Sequence, residues 1–198
     1  MQVRWLGHAS LKIVTGRHVI YIDPYAGQSE WYSPATIILV SRFAYDHCSF
    51  EKIKKISTDS TLVFAPASVA RELFPCKAMK PGENTFVDDV EIVALPVVKN
   101  QTNQDALSFV ILAENKLVYC LSDSDFAENL RDMKPDVLFV SLLGSIKHIA
   151  ETVSFIAPKL AIPIHWGSKV GTRDDAESFK ELITSPVQIL SEGEQLTL

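Results

Sequence analysis

The apolar positions of this chain fall into short runs, each closed by turn-forming or charged residues. That pattern predicts many strands and a few helices rather than a helical bundle. Val3–Leu6, Ser10–Val14 and His18–Ile22 read as three strands, with Thr15-Gly16-Arg17 turning the chain between the last two. Asp23-Pro24 closes this meander, and a loop from Gly27 to Pro34 carries Trp31 and Tyr32. Thr36–Val40 is a buried strand, followed at once by the polar stretch Ser41-Arg42-Phe43-Ala44-Tyr45-Asp46-His47-Cys48. Phe50, Ile53 and Ile56, spaced by three with lysines between them, predict a helix over Phe50–Ile56.

Thr61–Ala65 is a strand, and Ala67–Phe74 a short helix stopped by Pro75. Val90–Leu95 and Ala106–Leu112 are strands around the polar loop Lys99–Asp105, and Glu114-Asn115 turns the chain back into a strand over Lys116–Leu121. Beyond that point strands and helices alternate. A helix follows Leu121-Ser122-Asp123-Ser124 and ends near Met133. Then come a strand at Asp136–Ser141, a helix at Ile146–Ile156, a strand at Leu160–Ile164, a helix at Asp174–Ile183, and strands at Val187–Leu190 and Gln195–Leu198. Meanders that lead into βα alternation twice over predict an α/β protein with two packed sheets, not one parallel sheet. No linker or low-complexity segment divides the chain, so residues 1–198 are expected to form one domain.

Composition narrows the functional classes. A net charge of −5 argues against a non-specific nucleic-acid binder, which needs a basic face. The three cysteines are odd in number and form no C-x-x-C pair, so a disulfide framework is disfavoured and a reducing, cytoplasmic setting expected. The first residues lack the apolar core of a signal peptide, and no apolar run approaches the ~20 residues that span a bilayer.

Candidate chemistry gathers where apolar strands end. Asp46-His47 follows one strand, the Asn100 loop a second, Ser122-Asp123-Ser124 a third and His165-Trp166 a fourth. Carboxylates and imidazoles at the carboxyl ends of buried strands suit a metal such as zinc, manganese or iron. The chain resembles the metallo-β-lactamase-fold hydrolases, in particular their ascorbate-phosphate-lactonase-like group. Five segments carry the likeness, in order: Leu6-Gly7-His8-Ala9-Ser10; Tyr21-Ile22-Asp23-Pro24; Val40 to His47, where the family has His-x-His-x-Asp-His; Leu121-Ser122-Asp123-Ser124; and Ile162-Pro163-Ile164-His165-Trp166-Gly167. The resemblance implies a four-layer αββα sandwich. It also implies a hydrolase for esters, lactones, amides or phosphoesters, with a small-molecule substrate. A nucleic-acid substrate is disfavoured, because family members of that kind carry an inserted clamp domain and this chain leaves no room for one.

The resemblance further implies two metal sites, and here the chain departs from it. The leading histidines of the motif are missing, their places being taken as Ser41 and Phe43, and no histidine occurs in the loop where the family's third is expected. The second site carries over residue by residue to Asp46, His47, Asp123 and His165. One divalent ion held there would activate water for attack on a carbonyl or phosphoryl centre. Asp46 would also orient that water, Lys99 or Asn100 would stabilise the developing oxyanion, and Trp31 and Tyr32 would line the substrate pocket. Lys99 or Arg42 is a candidate to replace the missing first metal's charge.

The competing expectation is a catalytically inactive, metal-free descendant that binds a ligand or partner, with the ring of Phe43 filling the emptied site. Simpler roles are weighed beside these: Asp46-His47 as the cap of the helix that follows, His8 as a structural histidine bonding a neighbouring loop, His18 as an exposed turn residue, Cys48 as a small buried hydrophobe, and Trp5 as core.

Overall fold

In a computed structural model, which describes residues 1–97, 105–121, 133–167 and 170–198, the predicted strands assemble as two sheets. The elements run β1 (Gln2–Gly7), β2 (Ser10–Thr15), β3 (His18–Ile22), β4 (Ile37–Leu39), α1 (Phe50–Ile56), β5 (Leu62–Ala65), α2 (Ala67–Ala70), β6 (Lys77–Ala78), β7 (Asn84–Val87), β8 (Val90–Pro96), β9 (Leu107–Ala113) and β10 (Lys116–Leu121). They continue with β11 (Val137–Ser141), α3 (Ile146–Ile156), β12 (Ala161–Ile164), α4 (Arg173–Leu182) and β13 (Gln195–Thr197). The first sheet has the order β13-β1-β2-β3-β4-β5-β6 and the second β12-β11-β10-β9-β8-β7.

Period-two side-chain alternation builds the layers. In β4 and the residue after it, Ile37 and Leu39 join the core shared with the second sheet, while Ile38 and Val40 join a separate cluster with Ile53 and Ile56 of α1 and Val69 of α2. β3 divides in the same way, with Ile20 and Ile22 inward and Tyr21 outward. On the far side, Ala150, Val153 and Ile156 of α3 and Ala176 and Phe179 of α4 pack against the second sheet in the large core. Helices therefore cover both outer faces of a pair of sheets, the αββα arrangement that the family resemblance implies.

Strand direction decides where chemistry can gather. β1 and β3 are each antiparallel to β2, and β3, β4 and β5 are parallel, so the carboxyl ends of β1, β3 and β4 share one edge. In the second sheet β10, β11 and β12 are parallel as well. A backbone bond from His165 N–H to the His8 carbonyl (2.9 Å) ties the end of β12 to the end of β1, and so one sheet to the other.

Several boundaries differ from expectation. α2 stops at Ala70 and continues only as hydrogen-bonded turns to Leu73. β6 and β7 went unpredicted because one has two residues and the other exposes Phe86 and Asn84, leaving no apolar run to read. Val187–Leu190 is not a ladder strand: it meets β12 at a single bridge between Val187 and Ala161. The helix expected after Ser124 lies outside the described residues.

Candidate metal centre

Three of the five histidines meet at the shared edge. His8 follows β1, His165 follows β12, and His47 stands in the loop after β4 beside Asp46. One ligand-type atom from each of His8, Asp46, His47 and His165 lies within 4.8 Å of all the others. The structure thus brings together three of the four residues expected to hold a metal. The fourth, Asp123, lies outside the described residues, as do Lys99 and Asn100.

Two of the imidazoles, His47 and His165, are aimed by partners on their other nitrogens. His47 Nδ1 is 2.7 Å from Asp23 Oδ2, which leaves Nε2 as its ligand atom. The Asp23 carboxylate also accepts from the Ser41 backbone N–H (2.7 Å) and the Ser41 hydroxyl (2.6 Å), so it is itself locked. His165 Nδ1 lies 2.9 Å from the Ser141 hydroxyl at the end of β11. Its Nε2 is 2.7 Å from His8 Nε2, which in turn is 3.2 Å from Asp46 Oδ2. A carboxylate behind His47 and a hydroxyl behind His165 form the arrangement that orients metal ligands. His8, Asp23 and His165 all have positive φ (50°, 46° and 65°) without being glycine. Such backbone conformations cost energy, and they gather at functional sites whose surroundings enforce them.

Electrostatics agree with this geometry. Burial, reinforced by His165, lowers the pKa of His8 to about 4, so at neutral pH it is the uncharged imidazole that can ligate. Burial pushes the Asp46 carboxyl up, but His47 and hydrogen bonds including that from His8 outweigh it, and the net shift is downward. Asp46 is therefore a carboxylate. Three imidazole nitrogens and one carboxylate oxygen fit zinc, manganese or iron by donor type.

Several expectations are corrected. His8, expected to bond a neighbouring loop, does contact Asp46 of such a loop (3.2 Å) and is also a member of the cluster; the Gly7-His8-Ala9-Ser10 segment marks its place just past a strand but not that role. Asp23 was read as the end of a meander and proves to be the anchor of His47. Asp46-His47 does not cap α1, because the N-cap is Ser49, whose hydroxyl accepts from the Lys52 N–H. Phe43 does not fill the site: it is 53% exposed, with its ring 6.2 Å from that of Phe50. Nor are Ser41 and Phe43 the places of the leading histidines. Counted back from Asp46-His47, a His-x-His-x-Asp-His motif puts them at Arg42 and Ala44. His18 is buried and lies 3.4 Å from both Asp88 and Asp89.

Trp31 and Tyr32 have packing roles. A Cβ on Gly193 would come within 2.6 Å of the Trp31 ring, and Tyr32 stacks on Tyr21 (5.1 Å) and donates to the Ala26 carbonyl (2.6 Å). The aromatic ring in contact with the cluster is Tyr25, 5.9 Å from His8 and 6.2 Å from the exposed Tyr45. Trp5 is core, as expected, and its indole N–H donates to the His8 carbonyl (2.9 Å). Burial raises the Cys48 thiol to about 12, consistent with an inert side chain.

A two-sheet sandwich with imidazoles and a carboxylate at one edge defines the class, and sequence comparison agrees. Residues 2–165 match the model of the Beta-lactamase superfamily domain, and the chain belongs to that family. It is 25% identical to a UPF0173 metal-dependent hydrolase of Caldivirga maquilingensis, over 99% of this chain and 97% of the relative. Among solved structures, a metallo hydrolase of the archaeon Ignicoccus hospitalis superposes with a TM-score of 0.84 at 16% identity, covering 98% of this chain and 97% of that one. The metallo-beta-lactamase fold protein YhfI of Bacillus subtilis gives 0.82 at 10% identity, covering 98% of each chain. At these identities the superpositions speak to the fold.

Proposed function

We propose that this protein is a hydrolase dependent on a single divalent ion, acting on an ester, lactone or phosphoester of small-molecule size in the cytoplasm. The observation that supports it most is the convergence of His8, Asp46, His47 and His165 within 4.8 Å at the strand ends. Asp123, expected from the family resemblance, joins the ligands in this reading. Bound there, a zinc, manganese or iron ion would supply Lewis acidity and activate water.

The chain's own residues do the rest. Asp23 holds His47 in one tautomer, and Ser141 holds His165. Asp46 positions the attacking water and takes its proton on the carboxylate. Lys99 or Asn100 donates to the developing oxyanion. Arg42 and Ala44, standing at the leading motif positions, provide no neutral nitrogen, which supports one ion rather than two.

One observation favours an inert relative. The His8–His165 contact of 2.7 Å pairs the two Nε2 atoms by a hydrogen bond without any ion. Two measurements on purified protein decide between the readings: metal content by mass spectrometry, and turnover of a panel of aryl esters, lactones and phosphodiesters with and without chelator. About one equivalent of metal and chelator-sensitive turnover are expected. Metal-free protein that is inactive after reconstitution with zinc, manganese and iron would establish the inert relative.

A further inference from the structure

The geometry points to His8 as a metal ligand in its own right, adding a third imidazole beside His47, His165 and the Asp46 carboxylate. This rests on the metal-dependent reading above and adds a ligand that the family resemblance does not supply.

The distances come first. His8 Nε2 is 3.2 Å from Asp46 Oδ2 and 2.7 Å from His165 Nε2. Donors that share an ion at 2.0–2.1 Å in a tetrahedron stand roughly 3.3 Å apart. The 3.2 Å separation from Asp46 is already that of a co-ligand, and the 2.7 Å hydrogen-bonded contact with His165 has to open by about 0.6 Å to admit an ion. A residue that merely supported the site would face a ligand's rear nitrogen, as Asp23 faces His47 Nδ1 and Ser141 faces His165 Nδ1. His8 instead meets His165 at Nε2, the nitrogen on the ligand side.

Preorganisation is the second observation. The His8 backbone has φ 50°, and its carbonyl accepts from both the Trp5 indole and the His165 N–H, at 2.9 Å each. Its side chain is almost fully buried. The ring is therefore delivered to its position by backbone bonds to its own sheet and to the other one. That rigidity is what a side chain in direct contact with an ion needs.

X-ray absorption at the zinc edge of stoichiometrically loaded protein counts imidazoles directly. Three in the wild type and two in His8→Ala are expected, with a change in the visible bands of the cobalt-substituted forms between the two proteins. Two imidazoles in both proteins, with unchanged cobalt bands, would overturn the assignment and leave a metal-dependent hydrolase intact. If the wild type takes up no zinc or cobalt in equilibrium dialysis, the metal reading itself fails and this assignment with it. Should His8→Ala not fold, the wild-type count decides alone.

Discussion

At the scale of single residues, the groups behind the ligands matter as much as the ligands. Asp23 receives three hydrogen bonds and returns one function, which is to hold the His47 ring. Asp23→Asn keeps the size but loses the charge, so zinc affinity should fall by roughly 10–100-fold with the fold retained, as read by competition with a chromophoric chelator. On the proposed reading, in which Asp46 takes the water's proton, Asp46→Asn should lower kcat by about 10²–10⁴-fold on any ester that the wild type turns over. His8 shows how residue-level reading falls short. A lone histidine in a Gly-His-Ala step has no local feature to distinguish a ligand from a packed ring, and its partner His165 lies 157 positions away.

Elements are held by local rules that the sequence displays openly. Ser49 caps α1, and Thr172 forms a reciprocal capping box with Asp175 at the start of α4. Ser49→Ala should cost about 1 kcal/mol of stability in urea unfolding. Since α1 follows the Asp46-His47 loop directly, the same change should weaken zinc binding slightly. A different device joins the β2–β3 turn to the β9–β10 hairpin. Glu114 accepts from the Gly16 N–H (2.7 Å) and the Thr15 hydroxyl (2.9 Å) and pairs with the amino group of Met1 (2.6 Å). These bonds hold its pKa at about 2, below the ordinary 4.5. A depressed carboxyl pKa means stability that is present above 4.5 and lost as pH falls through about 2. The thermal stability advantage of wild type over Glu114→Gln should therefore shrink across that window.

The whole molecule supplies what neither residues nor elements contain. Both sheets contribute to one large core, with Phe109 and Phe139 of the second sheet fully buried in it. Phe139→Ala should cost about 3–5 kcal/mol, measured by chemical denaturation, because such a cavity collapses only in part. The site lies where the two sheets meet, so an ion bound there stabilises the native state alone. Free metal at 100 times its Kd adds about 2.7 kcal/mol, and chelator should lower the melting temperature accordingly. An unchanged melting temperature would count against metal binding.

Apart from β6, β7 and the Val187–Leu190 segment, the described strands and helices, the two-sheet class and the polar strand ends could be read from the chain, because period-two and period-three spacing and capping are local properties. Asp46, His47 and His165 were legible for the same reason: each stands just past an apolar run. The roles of Asp23, Ser41, Ser141 and His8 were not, and Phe43 was read as filling the site although its ring lies at the surface, 53% exposed. Which side chain faces which depends on sheet order, on strand direction and on the bond between His165 N–H and the His8 carbonyl. Those relations arise only when the ends of β1, β3, β4, β11 and β12 are brought to one edge, so the set of donors is a property of the tertiary structure.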